Sequence, residues 1–212
     1  MAFPYQDWDK SESALLKGAA QIYAERHGPC RLAPLVIMTD PAVHEDVCHL
    51  AMCAPKGGAI IYRHFGADDR ESVAHKLRQI TLARAQQFLI GDDPMLAIDC
   101  GADGVHFRRD EAVEAPALWR ARCADWIITM AGIKNDYVDY SGDLSVLDGL
   151  FISSIFRSDS QSAGKPIGTV RLLGICAVLG APIVALGGVN ERTIDALTGS
   201  GVVGAAGRFV YE

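Results

Sequence analysis

The chain has 212 residues, half of them hydrophobic and 22% charged, which suits one globular domain and excludes a disordered segment. A net charge of −6 argues against binding nucleic-acid backbones, which takes a basic stripe, but leaves room for a small anion held by a few amides and arginines. No apolar run reaches bilayer-spanning length, the opening MAFPYQDWDK is too polar for a signal peptide, and the six cysteines show no paired spacing. A cytoplasmic protein with reduced thiols, and with neither membrane nor nucleic acid as partner, is the expectation.

The first predicted element is an amphipathic helix from Asp9 to Arg26. Asp9 and Glu12 suit a capping box, Leu15, Ala19, Ile22 and Tyr23 share one face, and Gly28-Pro29 stops the helix. Strands follow at LVIMTD ending at Asp40, AIIYRHF ending at Phe65, QFLIGD ending at Asp92 and GVHF ending at Phe107. The next four are WIITMAG ending at Gly132, GLFISSIF ending at Phe156, PIVALGG ending at Gly188 and VVGAAGRF ending at Phe209. Most are continuous apolar runs, as expected of parallel strands buried on both faces. Between them lie helical patterns: one from Asp68 to Gln86 with Val73, Leu77, Ile80 and Ala83 on a face, and one from Thr169 that stops at Gly180. A third is predicted from an N-cap at Asn190 to Gly199.

Eight near-equal strand–helix units favour a closed (β/α)8 TIM barrel over an open doubly wound sheet. The expected layout is a single domain over residues 1–212, with 1–30 a helical extension and 33–209 the barrel. No room remains for an eighth helix after the eighth strand, and the strand surface left bare would expose apolar side chains. Either the N-terminal helix packs in that slot, or a second chain covers it in a homodimer. The first is expected, because that helix has an apolar face and a turn back towards strand one.

In this architecture functional residues gather at the C-terminal strand ends. The LGGVNERT segment after strand seven offers two glycines, Gly187 and Gly188, that let backbone N–H groups face an anion, with a helix start behind them. Gly207 and Arg208 follow strand eight, where such barrels also bind phosphate. Arg63, at a strand end in an apolar run, is costly unless paired or bound to an anion. Asp92 with Asp110 or Glu111 suits Mg²⁺, although such carboxylates also cap helices, and Asp93 before Pro94 has the form of a cap. His106 reads as a packed, hydrogen-bonded histidine.

Taken together, these segments resemble the thiamine phosphate synthase and thiazole tautomerase (TenI-like) family over roughly Leu35 to Phe209. GADGVHF at Gly101–Phe107 is similar to GADGVHLGQ, LIGDD at Leu89–Asp93 to the IND motif, ALGGVN at Ala185–Asn190 to AIGGI, and SSIFRSDS at Ser153–Ser160 to GPVFPTxT. The resemblance implies an enzyme that joins a pyrimidine diphosphate to a thiazole phosphate with release of pyrophosphate. Its substrates would be small phosphorylated metabolites and its cofactor Mg²⁺. It implies Asp92, Glu111 and Asp110 as metal ligands, Arg63 and Thr129 as catalytic residues on the pyrophosphate, and Ser158, Ser160, Gly187 and Gly188 around the thiazole phosphate. Departures fall mainly on the diphosphate half. In QxRxK the Gln is Ile61 and the Lys is Phe65, the Asn of IND is Gly91, the GQ after GVHL is Arg108-Arg109, and a terminal Lys is Gln161. Arg108, Arg109 and Arg157 are candidates to restore the lost charge. The alternatives are a phosphate-binding paralog without the transferase step, and a tautomerase using His64 or His106.

Overall fold

The computed structural model describes residues 8, 13–28, 30–108, 114–132, 143–158, 160 and 163–211. Eight parallel strands close into a barrel in chain order: β1 (Leu35–Met38), β2 (Ala59–Tyr62), β3 (Gln87–Gly91), β4 (Gly104–Phe107), β5 (Ile127–Ala131), β6 (Gly149–Ile152), β7 (Ile183–Leu186) and β8 (Gly204–Gly207). Closure is made by β1 against β8, with Val36 opposite Ala206. Almost every strand residue is buried, in keeping with the unbroken apolar runs of the sequence. The predicted strands overran at their C-terminal ends, so Asp40, Arg63 and Asp92 sit just past the ladder, in the loops that form the mouth.

Six α-helices lie among the described residues: α1 (Ala14–Ala24), α2 (Val47–Cys53), α3 (Arg70–Ala83), α4 (Pro94–Asp99), α5 (Ala115–Arg122) and α6 (Gly168–Leu179). The buried face of α3 is Ala74, Leu77 and Thr81, so the predicted stripe is rotated and Ala83 is exposed. α6 closes at Gly180 in the left-handed region, φ 60°, as predicted. After β7 the predicted helix from Asn190 is replaced by turns and a short 3₁₀ segment, Ile194–Leu197. The backbone bonds there close over three residues, Ala196 N–H to the Thr193 carbonyl and Thr198 N–H to that of Asp195, while Thr193 Oγ1 and Asn190 Nδ2 both donate to the Gly188 carbonyl just before the segment. The helix dipole expected behind Gly187-Gly188 is therefore reduced to a single irregular turn.

α1 occupies the vacant slot beside β8. It buries Leu15, Ala19, Ala20 and Ile22, and Gly18 lies so close to Ile194 that a Cβ there would stand 2.8 Å from its side chain. Polar ties finish the seam: Glu25 Oε2 accepts from the Gly199 N–H (2.8 Å), Arg26 Nε donates to the Val203 carbonyl (2.7 Å), and Ser13 Oγ donates to Glu191 (3.1 Å). The slot is filled from within the chain and does not call for a second copy. The capping box at Asp9 and Glu12, and Pro29, lie outside the described residues.

Candidate functional site

The loops after β1, β2, β6, β7 and β8 surround a cavity of about 910 Å³ at the C-terminal end of the barrel. Seven of the expected residues line it: Arg63, Ser158, Ser160, Gly187, Gly188, Gly207 and Arg208. Gly187 and Gly188 both have positive φ, 91° and 70°, and both are touched by the loop after β6. A Cβ on Gly188 would sit 2.3 Å from the Arg157 carbonyl oxygen, and one on Gly187 2.9 Å from Ser154 Cα. Glycine is thus demanded twice, by conformation and by the neighbouring backbone. Phe156 N–H donates to the Gly187 carbonyl (2.9 Å), which seats the loop that carries Ser158 and Ser160 against the two glycines. Among the described residues no group accepts from the Gly188 or Val189 N–H, so both are available to an anion.

Two guanidinium groups converge on Asp40 at the cavity floor. Arg208 Nη1 donates to Asp40 Oδ2 at 3.0 Å, and Arg63 Nη2 lies 3.9 Å from the same oxygen. Arg63 is pinned further by its N–H on Thr39 Oγ1 and its Nε on the Thr39 carbonyl (2.7 Å). Burial opposes the Asp40 charge, but the Ala42 N–H and the two arginines outweigh it and hold the carboxyl below its ordinary range. Burial also pulls the Arg63 pKa down from its ordinary value, and the Arg208 charge adds to that. A second anion near this pair of cations would be favoured. His44, buried behind Asp40, accepts the Asp40 N–H at Nδ1 and therefore carries its proton on Nε2, which donates to the Phe209 carbonyl (3.0 Å). It ties the loop after β1 to the end of β8.

The opposite side of the mouth, after β2, β3 and β4, is built differently. Asp92 takes a left-handed backbone (φ 57°), and its N–H donates to the His106 carbonyl. Its side chain is 2% exposed, and both carboxylate oxygens are engaged by Arg108: Oδ1 by the backbone N–H (3.2 Å) and Oδ2 by Nε. Phe65 lies between two arginines, with Arg70 and Arg108 at 5.4 and 5.1 Å from its ring centroid. Arg70 in turn donates to Asp93 Oδ2 (2.8 Å) and to the Gly91 carbonyl (2.7 Å). Asp93 Oδ1 accepts from the Leu96 N–H, so Asp93 is the helix cap that its Asp-Pro sequence announced.

Three metal ligands were expected, and only Asp92 lies among the described residues; Asp110 and Glu111, like Arg109, do not. As arranged, Asp92 does not fit a magnesium ion, because a cation already holds both oxygens and the carboxylate is sealed from water. Thr129 does not reach the cavity either. It is fully buried in the middle of β5, where its hydroxyl hydrogen-bonds His106 Nδ1 at 3.0 Å. A catalytic contact at Thr129 is thereby replaced by a supporting one. His106 is the packed histidine expected: burial, with Arg63 adding to it, takes its pKa down to about 3, and its ring meets Phe151 edge-on. Neither His64 nor His106 lines the cavity, which leaves a tautomerase without an acid–base histidine there among the described residues.

A family model described as thiamine monophosphate synthase matches residues 35–208. This chain belongs to the thiamine monophosphate synthase family. It is 32% identical to the thiamine-phosphate synthase of Alcanivorax borkumensis over 191 residues, covering 83% of each protein. It is 27% identical to that of Lactococcus lactis over 71% of this chain and 73% of the relative. Among known structures, thiamine phosphate pyrophosphorylase from Pyrococcus furiosus superposes with a TM-score of 0.62 at 23% identity, over 81% of this chain and 83% of that one, a likeness of fold. A mandelate oxidase variant at 15% identity and TM-score 0.59 shares the barrel alone.

Asp40 is a strand-end candidate that the sequence offers without a role, and Arg70 was missed. One signal for Arg70 existed: it opens α3, and a cation at a helix start opposes the dipole unless another partner holds it. For Asp40 the signal was its place at the end of β1.

Proposed function

We propose that the chain is a divergent thiamine phosphate synthase, joining a pyrimidine diphosphate to a thiazole phosphate with release of pyrophosphate. The observation that carries this reading is the convergence of Arg63, Arg208, Ser158, Ser160 and the Gly187-Gly188 backbone on one cavity at the strand ends. In the reaction, the thiazole ring nitrogen forms a bond to the pyrimidine methylene carbon. The carbon–oxygen bond to the diphosphate breaks, and its electron pair leaves with pyrophosphate. The chemistry is dominated by leaving-group charge, so stabilisation must come from cations and N–H donors fixed in advance. The Gly188 and Val189 N–H groups, with Ser158, Ser160 and Arg208, suit the thiazole phosphate. Arg63, Arg70 and Arg108 bring charge towards the diphosphate. A magnesium ion, the expected cofactor, would compete with Arg108 for the oxygens of Asp92. Small phosphorylated metabolites are then the partners. The six cysteines, all free, support a reducing, cytoplasmic setting, and among the described residues no helix is long and apolar enough to cross a membrane.

The test is product formation from both precursors by the pure, folded protein, followed by chromatography with and without Mg²⁺. Thiamine phosphate appearing in a protein-dependent manner is expected; none under either condition sinks the reading. A second reading, a paralog that binds the thiazole phosphate without catalysing transfer, is favoured by one observation, the commitment of Asp92 to Arg108. Calorimetry separates the two: this paralog would bind the thiazole phosphate and no diphosphate.

A further inference from the structure

We propose that Arg108 stands in for a divalent cation at the diphosphate end of the mouth, so that anion binding there is independent of metal. This deepens the reading above and rests on the mouth accepting a diphosphate. The argument begins with Asp92. A water-excluded carboxylate attracts a cation, and here the cation is supplied by the chain itself: Arg108 engages Oδ2 through Nε and Oδ1 through its own N–H. To bind there, Mg²⁺ would have to shed water, displace a charge-assisted hydrogen bond and leave the guanidinium beside it, two like charges at one carboxylate.

Three further features hold the arginine in that role. Its guanidinium lies over the Phe65 ring, which Arg70 flanks in turn, so its orientation is set by packing as well as by Asp92. The Phe65 ring fills the space that a side chain at position 91 would use: a Cβ on Gly91 would stand 3.2 Å from Phe65 Cζ and 3.0 Å from the Tyr62 carbonyl oxygen. The two positions are matched to one another, and both are ones where the family's polar residues are missing. Finally, Arg108 remains 56% exposed although its carboxylate partner is buried, which places positive charge at the solvent side of the site. Asp92 therefore acts as an anchor for Arg108, a positioning residue where a metal ligand was expected.

The experiment uses the full chain, with Mn²⁺ as a paramagnetic probe and inorganic pyrophosphate as ligand. Free Mn²⁺ is read by electron paramagnetic resonance and pyrophosphate affinity by calorimetry, in Mg²⁺ and in EDTA. The wild-type chain is expected to take up no Mn²⁺ at low millimolar concentration and to bind pyrophosphate within about twofold in the two buffers. Arg108→Gly is expected to gain Mn²⁺ uptake and to lose at least tenfold in pyrophosphate affinity in EDTA. Arg108→Lys, which keeps the charge, should stay close to wild type and guards against a folding artefact. Wild-type Mn²⁺ uptake equal to that of R108G, a tenfold loss of wild-type affinity in EDTA, or no pyrophosphate binding in either buffer would each overturn the inference. Failure of the function reading looks different: metal-independent pyrophosphate binding with no thiamine phosphate formed removes the synthase assignment and leaves Arg108 in its role.

Discussion

The loops after β6, β7 and β8 line open space with backbone N–H groups and hydroxyls, whereas the loops after β2, β3 and β4 carry guanidinium groups that are already paired. The first side depends on close approach of main chain to main chain, at Gly187 and Gly188. The second depends on side-chain charge balance, with Asp92, Asp93 and Phe65 each holding an arginine. A backbone site tolerates change at its side chains but not at its glycines. A charge-balanced site changes its preference with a single substitution.

The comparison can be broken most severely at Gly188. Gly188→Ala places a Cβ against the Arg157 carbonyl at φ 70°, and a loss of about 3 kcal/mol is expected. The melting midpoint should fall by roughly 6–12 °C, and phosphate binding should disappear. A variant that melts like wild type would mean the two loops part easily.

Beneath the guanidinium side, His106 gives a pH test. Its folded pKa, about 3, lies below the ordinary 6.5, so the unfolded chain takes up the proton first. Its contribution is full above pH 6.5 and is lost towards pH 3, at about 1.4 kcal/mol per pH unit. Urea unfolding at pH 7 and pH 5 should show wild type losing about 2 kcal/mol more than His106→Leu over that interval. Equal losses would show that the buried imidazole is not the sensor. Asp40 adds a change at lower pH with the same sign, since its depressed pKa gives stability above the ordinary carboxylate range that fades as the folded group protonates.

Arg208→Ala removes one cation from the open side while leaving the glycines in place. Binding of inorganic phosphate should weaken about tenfold, and thermal stability should barely move, because a part-exposed ion pair with Asp40 contributes little. The smallest effect is expected from Phe65→Ala. Phe65 is 47% exposed, so its loss should cost under about 1 kcal/mol, yet it removes the ring that both flanking arginines lie against. A modest shift in pyrophosphate affinity with unchanged phosphate affinity would locate the two anion sites on opposite sides of the mouth.

The barrel was legible because its strands are unbroken apolar runs, and that pattern survives any choice of loop. The glycine pair and Arg63 were legible for a similar reason: each breaks a local rule, and the break needed a ligand or a neighbour to explain it. What failed to show was the pitch of the turns after strand seven. Asn190 to Gly199 reads as a helix, but its bonds close over three residues, Ala196 to Thr193 and Thr198 to Asp195, and a stretch this short has no periodicity to tell the two apart. Thr129 took its expected role from the resemblance, but it lies in mid-strand, and only the register puts its hydroxyl on His106. The pairing of Asp92 with Arg108 spans two loops, and sixteen positions of separation leave no local trace.

The placing of α1 beside β8 also sets an order of events. The helix is made before any strand, but its berth is built from Ile194, Gly199 and Val203, which are made only after seven strands. At ribosomal speeds of about 5–20 residues per second, α1 waits roughly 10–40 s with its apolar face uncovered. During that wait the nascent chain has an open sheet edge at β1 as well, and one late event, the arrival of β8, removes both hazards together. A chaperone that shelters the emerging N-terminal helix should matter more to the yield of this barrel than to one whose last helix is made last.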